Sequence, residues 1–291
     1  MSRWLERFRP YLMVAPAIIV FVLFFIYPIG YMIYLSFHEW DFISPDKQFV
    51  GLDNFAGLSE HPEFLKSLEN TFVFTFFSVG ITTVLALLLA LWINRPTRFY
   101  GFVQGAVFSP HIISLVSIAM LWMWLMDPQY GLLNWGLEMF GLPQSQWLAS
   151  PETALYSIIL VAIWKSIGFN TLIIIAGLQS IPPHLYEAAA LDQSSRFTSF
   201  AKITFPMISP TLFFLIIMNL IGSFQVFETI DIMTQGGPLQ STNTLVYYIY
   251  EYGFRFFQLG YASSAGVILL IVLSILTVLY FFLMSKRVHY Q

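Results

Sequence analysis

SIPPHLYEAAALDQSSRFTSFAKITFPMISP, Ser180 to Pro210, is a polar, helix-forming segment set between two long apolar stretches, Thr153 to Leu178 and Thr211 to Met233. Each flank has the length of a bilayer-crossing helix, since a hydrocarbon core of about 30 Å needs roughly 20 apolar residues in helical form. Four more stretches meet the same requirement: Tyr11 to Phe37, Thr71 to Ile93, Val103 to Met126 and Ala262 to Met284. The composition agrees, with 57% hydrophobic, 18% aromatic and only 10% charged residues over 291 positions, far too apolar for a soluble domain of that size. A β-barrel would show many shorter segments of alternating pattern, and these are not seen. The expected fold is therefore all-α, a polytopic membrane protein of six transmembrane helices.

Lysine and arginine set the orientation. The N-terminus (Arg3, Arg7, Arg9), the second loop (Arg95, Arg98), the fourth loop (Arg196, Lys202) and the C-terminus (Lys286, Arg287) carry nine positive charges, whereas the alternate loops carry three, Lys47, Lys66 and Arg255. The positive-inside rule then predicts both termini, and the Ser180 to Pro210 loop, on the cytoplasmic side. The first span follows its arginines as a signal peptide would, but it is long and no small-residue cleavage site follows, so it reads as a retained anchor. The net charge of -3 carries less information than the sidedness of the charges.

Several chemistries are excluded. There is no cysteine, and the five histidines are scattered without zinc spacing, so disulfides, thiolate metal sites and an HExxH centre are ruled out. No GxxxxGK[ST] loop is present, so any ATP is hydrolysed on another chain. No internal repeat, low-complexity run or long linker is visible, and residues 1–291 read as one membrane domain. The loop from His38 to Ser67 is acidic and turn-rich, with Pro45, Gly51, Asp53, Asn54 and Pro62, and is expected to form a short cap over the bundle mouth.

Within the opening segment, Pro182 and Pro183 suit a first helical turn, where a missing N–H costs nothing, and Glu187 follows close to the positive helix end. Ala188, Ala189 and Ala190 extend the helix with almost no side chain, which lets another surface approach the backbone. The patch Asp192, Gln193, Ser194, Ser195 interrupts it, predicting two short helices with a bend between them. By residue type alone this is either an interfacial loop joining two spans or a docking element.

The strings LYEAAALD and FAKITFPMISP resemble the EAA loop of binding-protein-dependent ABC importer permeases. The family pattern reads EAA, three residues, a glycine, and further on I-x-L-P. Glu187, Ala188 and Ala189 match its start and Ile203 and Pro206 its end, while Gln193 stands at the glycine and Phe205 at the leucine. VGLDNF (Val50 to Phe55), GGP (Gly236 to Pro238), YGF (Tyr252 to Phe254) and the closing Tyr290-Gln291 extend the similarity to the carbohydrate-uptake branch, with its maltose-type and glycerol-3-phosphate-type permeases.

That resemblance implies a type I importer permease fold in a bacterial cytoplasmic membrane and a non-catalytic transport subunit that passes a sugar or sugar derivative. Glu187, Ala188, Ala189, Asp192 and Gln193 would form a coupling helix seated in a cytoplasmic ATPase, with Glu187 as charged anchor and Ala188 and Ala189 packed in its cleft. The implied partners are a companion permease, two ATPase subunits, an extracytoplasmic solute-binding protein and membrane lipid, without nucleic acid. The implied cofactors, ATP and Mg, belong to the ATPase and none to this chain.

Polar groups at membrane depth are costly unless they face a cavity or a partner. The fourth span offers Lys165, Ser166, Phe169 and Asn170. The fifth offers Asn219, Gly222, Ser223 and Val226 at i, i+3, i+4, i+7, one stripe able to line a path. Hydroxyl-matching amides and alcohols beside flat aromatic faces suit oligosaccharides, polyols or glycerol phosphates. The same small residues also serve close helix packing. Lys165 could attract an anion, snorkel, or pair with Glu228, Asp231 or an acid of the companion subunit, and a structural ion pair is the expected role. Gln225 and Glu228 are expected on another side of the helix, facing the companion subunit, and Pro110 and Pro210 are expected to interrupt their spans. The competing class is an ion-coupled secondary transporter of small polar solutes, which would show inverted repeats and a mid-membrane carboxylate. A membrane-embedded enzyme lacks any visible catalytic arrangement.

Overall fold

The computed structural model describes residues 3–284; Lys286, Arg287 and Tyr290-Gln291 lie outside the described residues. Packing divides these residues into two units, 3–61 with 248–271, and 62–247 with 272–284.

The first unit starts with α1 (Arg3–Phe21), a π-turn (Val22–Ile26) and α2 (Tyr27–Ser36). Together they make the span Pro10–Ser36, whose most apolar stretch has no residue buried inside the protein. Such a helix needs lipid as its solvent. Two short antiparallel strands follow, β1 (His38–Glu39) and β2 (Gln48–Phe49), with His38 opposite Phe49. Next comes α3 (Asp53–Glu60). The Asn54 amide donates to the Ser36 and His38 carbonyls, both at 3.0 Å, and so ties α3 to the end of the span.

The second unit holds α4 (Pro62–Ile93), α5 (Arg98–Ile112), α6 (Leu115–Leu125), α7 (Leu132–Met139) and α8 (Ala154–Gln179). After these come α9 (Pro183–Leu191), α10 (Arg196–Ser199), α11 (Phe205–Phe224) and α12 (Glu228–Met233). Two more helices run through the unit boundary, α13 (Leu245–Tyr250) and α14 (Leu259–Met284). The principal packing is α4 and α5 against α8, with α11 across α4 and α8.

Lipid is as apolar as leucine, so what holds these helices together is close fit and hydrogen bonding rather than exclusion of water. Fit is visible at Ala86 and Ala90 of α4, which meet Ile174, Ile175 and Leu178 of α8 and Ile208, Leu212 and Leu215 of α11 in one buried cluster. At Gly168, α8 lies so near the α5 backbone that a Cβ would collide with the Val107 carbonyl.

Among the described residues there are five candidate spans, or six if one bent pair is counted as a single span, and three expectations are corrected. Among the described residues, the helices long and apolar enough to cross a bilayer are Pro10–Ser36, Pro62–Ile93, Ala154–Gln179, Arg196–Phe224 and Leu259–Leu283. The sixth, expected as one helix from Val103 to Met126, is instead the pair α5 and α6, bent by 98° at Ile113 and Ser114. Pro110 explains where α5 stops, since its ring strains the preceding turn and it cannot donate to the Ala106 carbonyl. The Ser109 hydroxyl takes over that acceptor at 2.9 Å. The fifth span, expected to run to Met233, ends at Phe224, and Gln225 to Phe227 break the chain before α12. Pro210, expected to interrupt the same span, lies inside a continuous α11.

Candidate functional site

The opening segment folds as its residues dictate. α9 begins with Pro182 and Pro183 in the cap and first-turn positions, and ends where Asp192 leaves helical geometry. The bend is closed by N–H groups of Gln193 and Ser194 on the Ala190 and Ala189 carbonyls, at 3.1 and 2.9 Å. Gln193 has φ 52°, left-handed. Glycine takes that conformation freely, while another residue is strained by roughly 1–2 kcal/mol. Gln193 thus performs the turn for which the EAA pattern uses glycine. Ser195 then caps α10, its hydroxyl accepting from the Thr198 N–H at 3.1 Å.

On α9, Glu187, Ala188 and Leu191 are exposed, and Asp192 and Gln193 extend this exposed face. Among the described residues Glu187 makes no hydrogen bond or ion pair, and α9 has no side-chain cap, so its carboxylate is not spent on its own helix. Ala189 is the exception to the expected docking pair. It is only 8% exposed and faces the protein's own interior. Consecutive helical residues diverge by about 100°, so Ala188 and Ala189 cannot serve one outside surface equally.

α9 is fastened to the base of α11. The Tyr186 and Thr204 hydroxyls share a hydrogen bond of 2.9 Å. Thr204 closes the π-turn Phe200–Thr204 that leads directly into α11. Leu185 on one side and Ile203 and Met207 on the other pack against the buried α4, α8 and α11 cluster.

At the other end of α11 lies a cavity of about 480 Å³, walled by α4, α8, α11, the α5–α6 break and the segment Gln225 to Thr229. It gathers Lys165, Ser166, Asn219, Ser223 and Val226, five of the residues read from sequence, together with Gly222. Asn170 is placed differently. It is 1% exposed and supports Asn219, whose amide donates to Asn170 Oδ1 at 2.6 Å. Phe169 stacks on His111, ring centroids 4.7 Å apart, and it is His111 that reaches the cavity wall.

Lys165 finds carbonyls rather than a carboxylate within bonding distance. Its ammonium donates to Ile113 O at 2.8 Å and to Pro110 O and His111 O at 3.4 Å, the acceptors that the end of α5 leaves open. Each end of a helix presents backbone groups without intrahelical partners, and a cation suits the carbonyl end. The expected ion pair is thus replaced by a helix-end cap, although Glu228 shares the cavity wall.

Some cavity residues escaped the sequence reading. Ser78 and Thr82 of α4 line it, and Thr82 lies 3.4 Å from the Ser166 hydroxyl. They follow Thr71 and Thr75 along one helical stripe, a signal that was available. Gln225 and Glu228, expected to face outward, line the same cavity. A helical wheel carried past Phe224 assigned them to the wrong side, because α11 has already ended.

Removing the Lys165 ammonium strands carbonyls of α5, each worth about 1–3 kcal/mol when left unsatisfied. Lys165→Met should therefore lower the melting temperature of the detergent-purified protein by several degrees, read by thermal unfolding; an unchanged transition would show that the break does not depend on this cap.

The profile of the family described as "Binding-protein-dependent transport system inner membrane component" matches residues 82–290. The chain is 35% identical over 291 residues to the sn-glycerol-3-phosphate transport system permease protein UgpA of Pectobacterium atrosepticum, covering 100% of this chain and 97% of that protein. It is 38% identical over 294 residues to the protein of the same description in Escherichia coli (strain UTI89 / UPEC), covering 100% and 97%. Among solved structures it is similar to a chain of a bacterial ABC transporter involved in the import of the acidic polysaccharide alginate, with TM-score 0.84, 28% identity, and coverage of 98% and 99% of the two chains. A second crystal structure, of a bacterial alginate ABC transporter in complex with its alginate pentasaccharide-bound periplasmic protein, gives TM-score 0.85 at 28% identity, covering 98% of each chain.

Proposed function

The chain belongs to the family of binding-protein-dependent transport system inner membrane components, and from that membership we propose that it is the permease subunit of an ATP-driven importer that passes a sugar or sugar derivative across the bacterial cytoplasmic membrane. The observation that carries the reading is the build of α11. One end is bonded to the exposed helix α9, and the other lines a polar cavity at membrane depth.

In this reading both termini and α9 are cytoplasmic, as the lysine and arginine distribution requires. Glu187, Ala188, Leu191, Asp192 and Gln193 meet a cytoplasmic ATPase subunit, the carboxylate fixing register against a basic group. ATP and Mg bind that ATPase, and this chain performs no bond chemistry. A companion permease and a second ATPase complete the assembly, and a periplasmic binding protein delivers the solute. The solved relative captured with its periplasmic protein supports that last partner. The whole chain acts as one permease domain.

The cavity falls in the size range of small-molecule sites, about 300–1,000 Å³, and its walls mix alcohols, an amide and apolar surface. Ser78, Thr82, Ser166, Asn219 and Ser223 match solute hydroxyls. Within this reading an anionic polyol such as sn-glycerol-3-phosphate is favoured over a neutral sugar. Its support is the Lys165 ammonium on the wall and the transport names borne by the relatives. The ion-coupled alternative has no support once family membership is known.

Reversing the charge of the docking helix, Glu187→Lys, should abolish uptake in membrane vesicles carrying the full importer and release the ATPase on detergent extraction, with the permease still inserted; normal uptake would remove Glu187 from the interface. Asn219→Ala should cut uptake about tenfold or shift solute preference while the ATPase stays bound, and wild-type transport of the same solutes would take Asn219 off the path.

A further inference from the structure

Between β1 and β2 the chain makes a short finger, residues 40–47, in the first unit. Two of its side chains are apolar and stand in the open: Phe42 is 63% exposed and Ile43 78%. The finger is nevertheless well formed. Asp41 Oδ1 accepts from the N–H groups of Ile43 and Ser44, at 3.0 and 2.7 Å, and Oδ2 from the Ser44 hydroxyl at 2.9 Å. The Trp40 indole N–H reaches back to the Ser44 carbonyl at 2.8 Å, and its ring lies 5.3 Å from that of Phe42. A built loop that holds two large apolar side chains in the open is more than a connection.

Its position relative to the preceding span decides what covers it. Lys47, at the foot of the returning arm, donates to the Tyr31 hydroxyl at 2.6 Å, and its ammonium lies 5.0 Å from the Tyr31 ring and 4.4 Å from the Trp40 ring. Tyr31 sits five residues before the end of α2, which is about 7 Å down the helix axis. The finger therefore folds back along the flank of the span instead of standing off its end. Beyond the finger itself, nothing in the described chain covers that flank. It carries a tyrosine ladder, Tyr27, Tyr31 and Tyr34, with ring centroids 6.2 and 6.0 Å apart, and Tyr27 and Tyr34 are largely exposed. Tyrosine and tryptophan beside a lysine stem are the residue types that occupy the boundary between headgroups and acyl chains.

We propose that residues 40–47 are a lipid-interface anchor, with Phe42 and Ile43 inserted at the headgroup and upper acyl-chain level of the leaflet in which α2 ends. The acidic side chains of the loop, Glu39, Asp41 and Asp46, remain on its wet rim. Insertion is thus driven by apolar contact and not by attraction to anionic lipid, because the finger's one cation, Lys47, already lies against Tyr31. The anchor braces the first unit at the membrane surface, leaving other non-cytoplasmic segments to receive a binding protein.

The chain has no cysteine, so a single one can be placed and labelled without background. The full-length Ile43→Cys protein, spin-labelled and reconstituted in phosphatidylethanolamine–phosphatidylglycerol vesicles, should collide more with oxygen than with a water-soluble nickel chelate. Phe42→Cys should give the same result, and Ser59→Cys on α3 the reverse. The depth should not change when phosphatidylglycerol is raised at fixed salt. Chelate access at positions 42 and 43 equal to that at 59 would overturn the proposal. So would labels that are water-accessible in vesicles and become immobilised only when the solute-loaded binding protein is added, since the finger would then be a protein contact.

Discussion

A bilayer supplies no water to an unpaired backbone group, so every place where a span breaks must carry its own hydrogen-bonding partners. The architecture of the second unit follows from how it meets this demand. Pro110 lies in the last turn of α5, the Ser109 hydroxyl takes the carbonyl that the proline cannot serve, and the Lys165 ammonium collects the carbonyls of Pro110, His111 and Ile113. With those groups satisfied, α6 can leave at a steep angle, and the space beside the bend becomes a cavity rather than a packing fault. The second break, Gln225 to Phe227, brings Gln225 and Glu228 onto the same wall. A lysine that reads in sequence as one half of a structural ion pair instead caps a helix end. It serves the carbonyls at the break and lines the cavity at the same time.

The two ends of the proposed machine are joined by α11, about 30 Å long. At its base the Tyr186–Thr204 hydroxyl pair fixes α9, while at membrane depth the Asn170–Asn219 pair fixes α11 to α8. Gly177 lets α8 approach Thr211 of α11 closely, where a Cβ would meet the threonine side chain. In the proposed mechanism the route from α9 to Asn219 and Ser223 therefore runs through packed helices and not through a flexible loop. The cost of holding Gln193 in left-handed geometry is consistent with a bend that must keep one shape, since a residue with that strain persists only where its surroundings fix it.

Much of this was legible in the sequence. Apolar length gave the spans, proline and alanine placement gave α9 and its start, and residue type with spacing gave Asn219, Gly222, Ser223 and Val226 along one wall. Proline marked an interruption near Pro110, but neither the steepness of that bend nor the end of α11 at Phe224 could be read. Composition does not distinguish a kinked helix from Val103 to Met126 from two helices bent by 98° at Ile113 and Ser114, because the segment is predominantly apolar on both sides of the bend. The periodicity argument lost its basis past Phe224, where it put Val226 on the cavity wall but misplaced Gln225 and Glu228. Ala189 was missed for a different reason: a run of three alanines gives no amphipathic contrast to say which one faces inward.

The link between loop and cavity can be measured directly as solute imported per ATP hydrolysed, in vesicles carrying the complete importer with Tyr186→Phe in this chain. The substitution removes one hydroxyl and leaves the exposed face of α9 intact. If α11 carries the stroke, the ratio falls about threefold or more, in line with loss of one hydrogen bond of about 0.5–1.5 kcal/mol, while the ATPase remains bound and active. An unchanged ratio with the Tyr186–Thr204 bond removed would contradict that claim and place the coupling elsewhere.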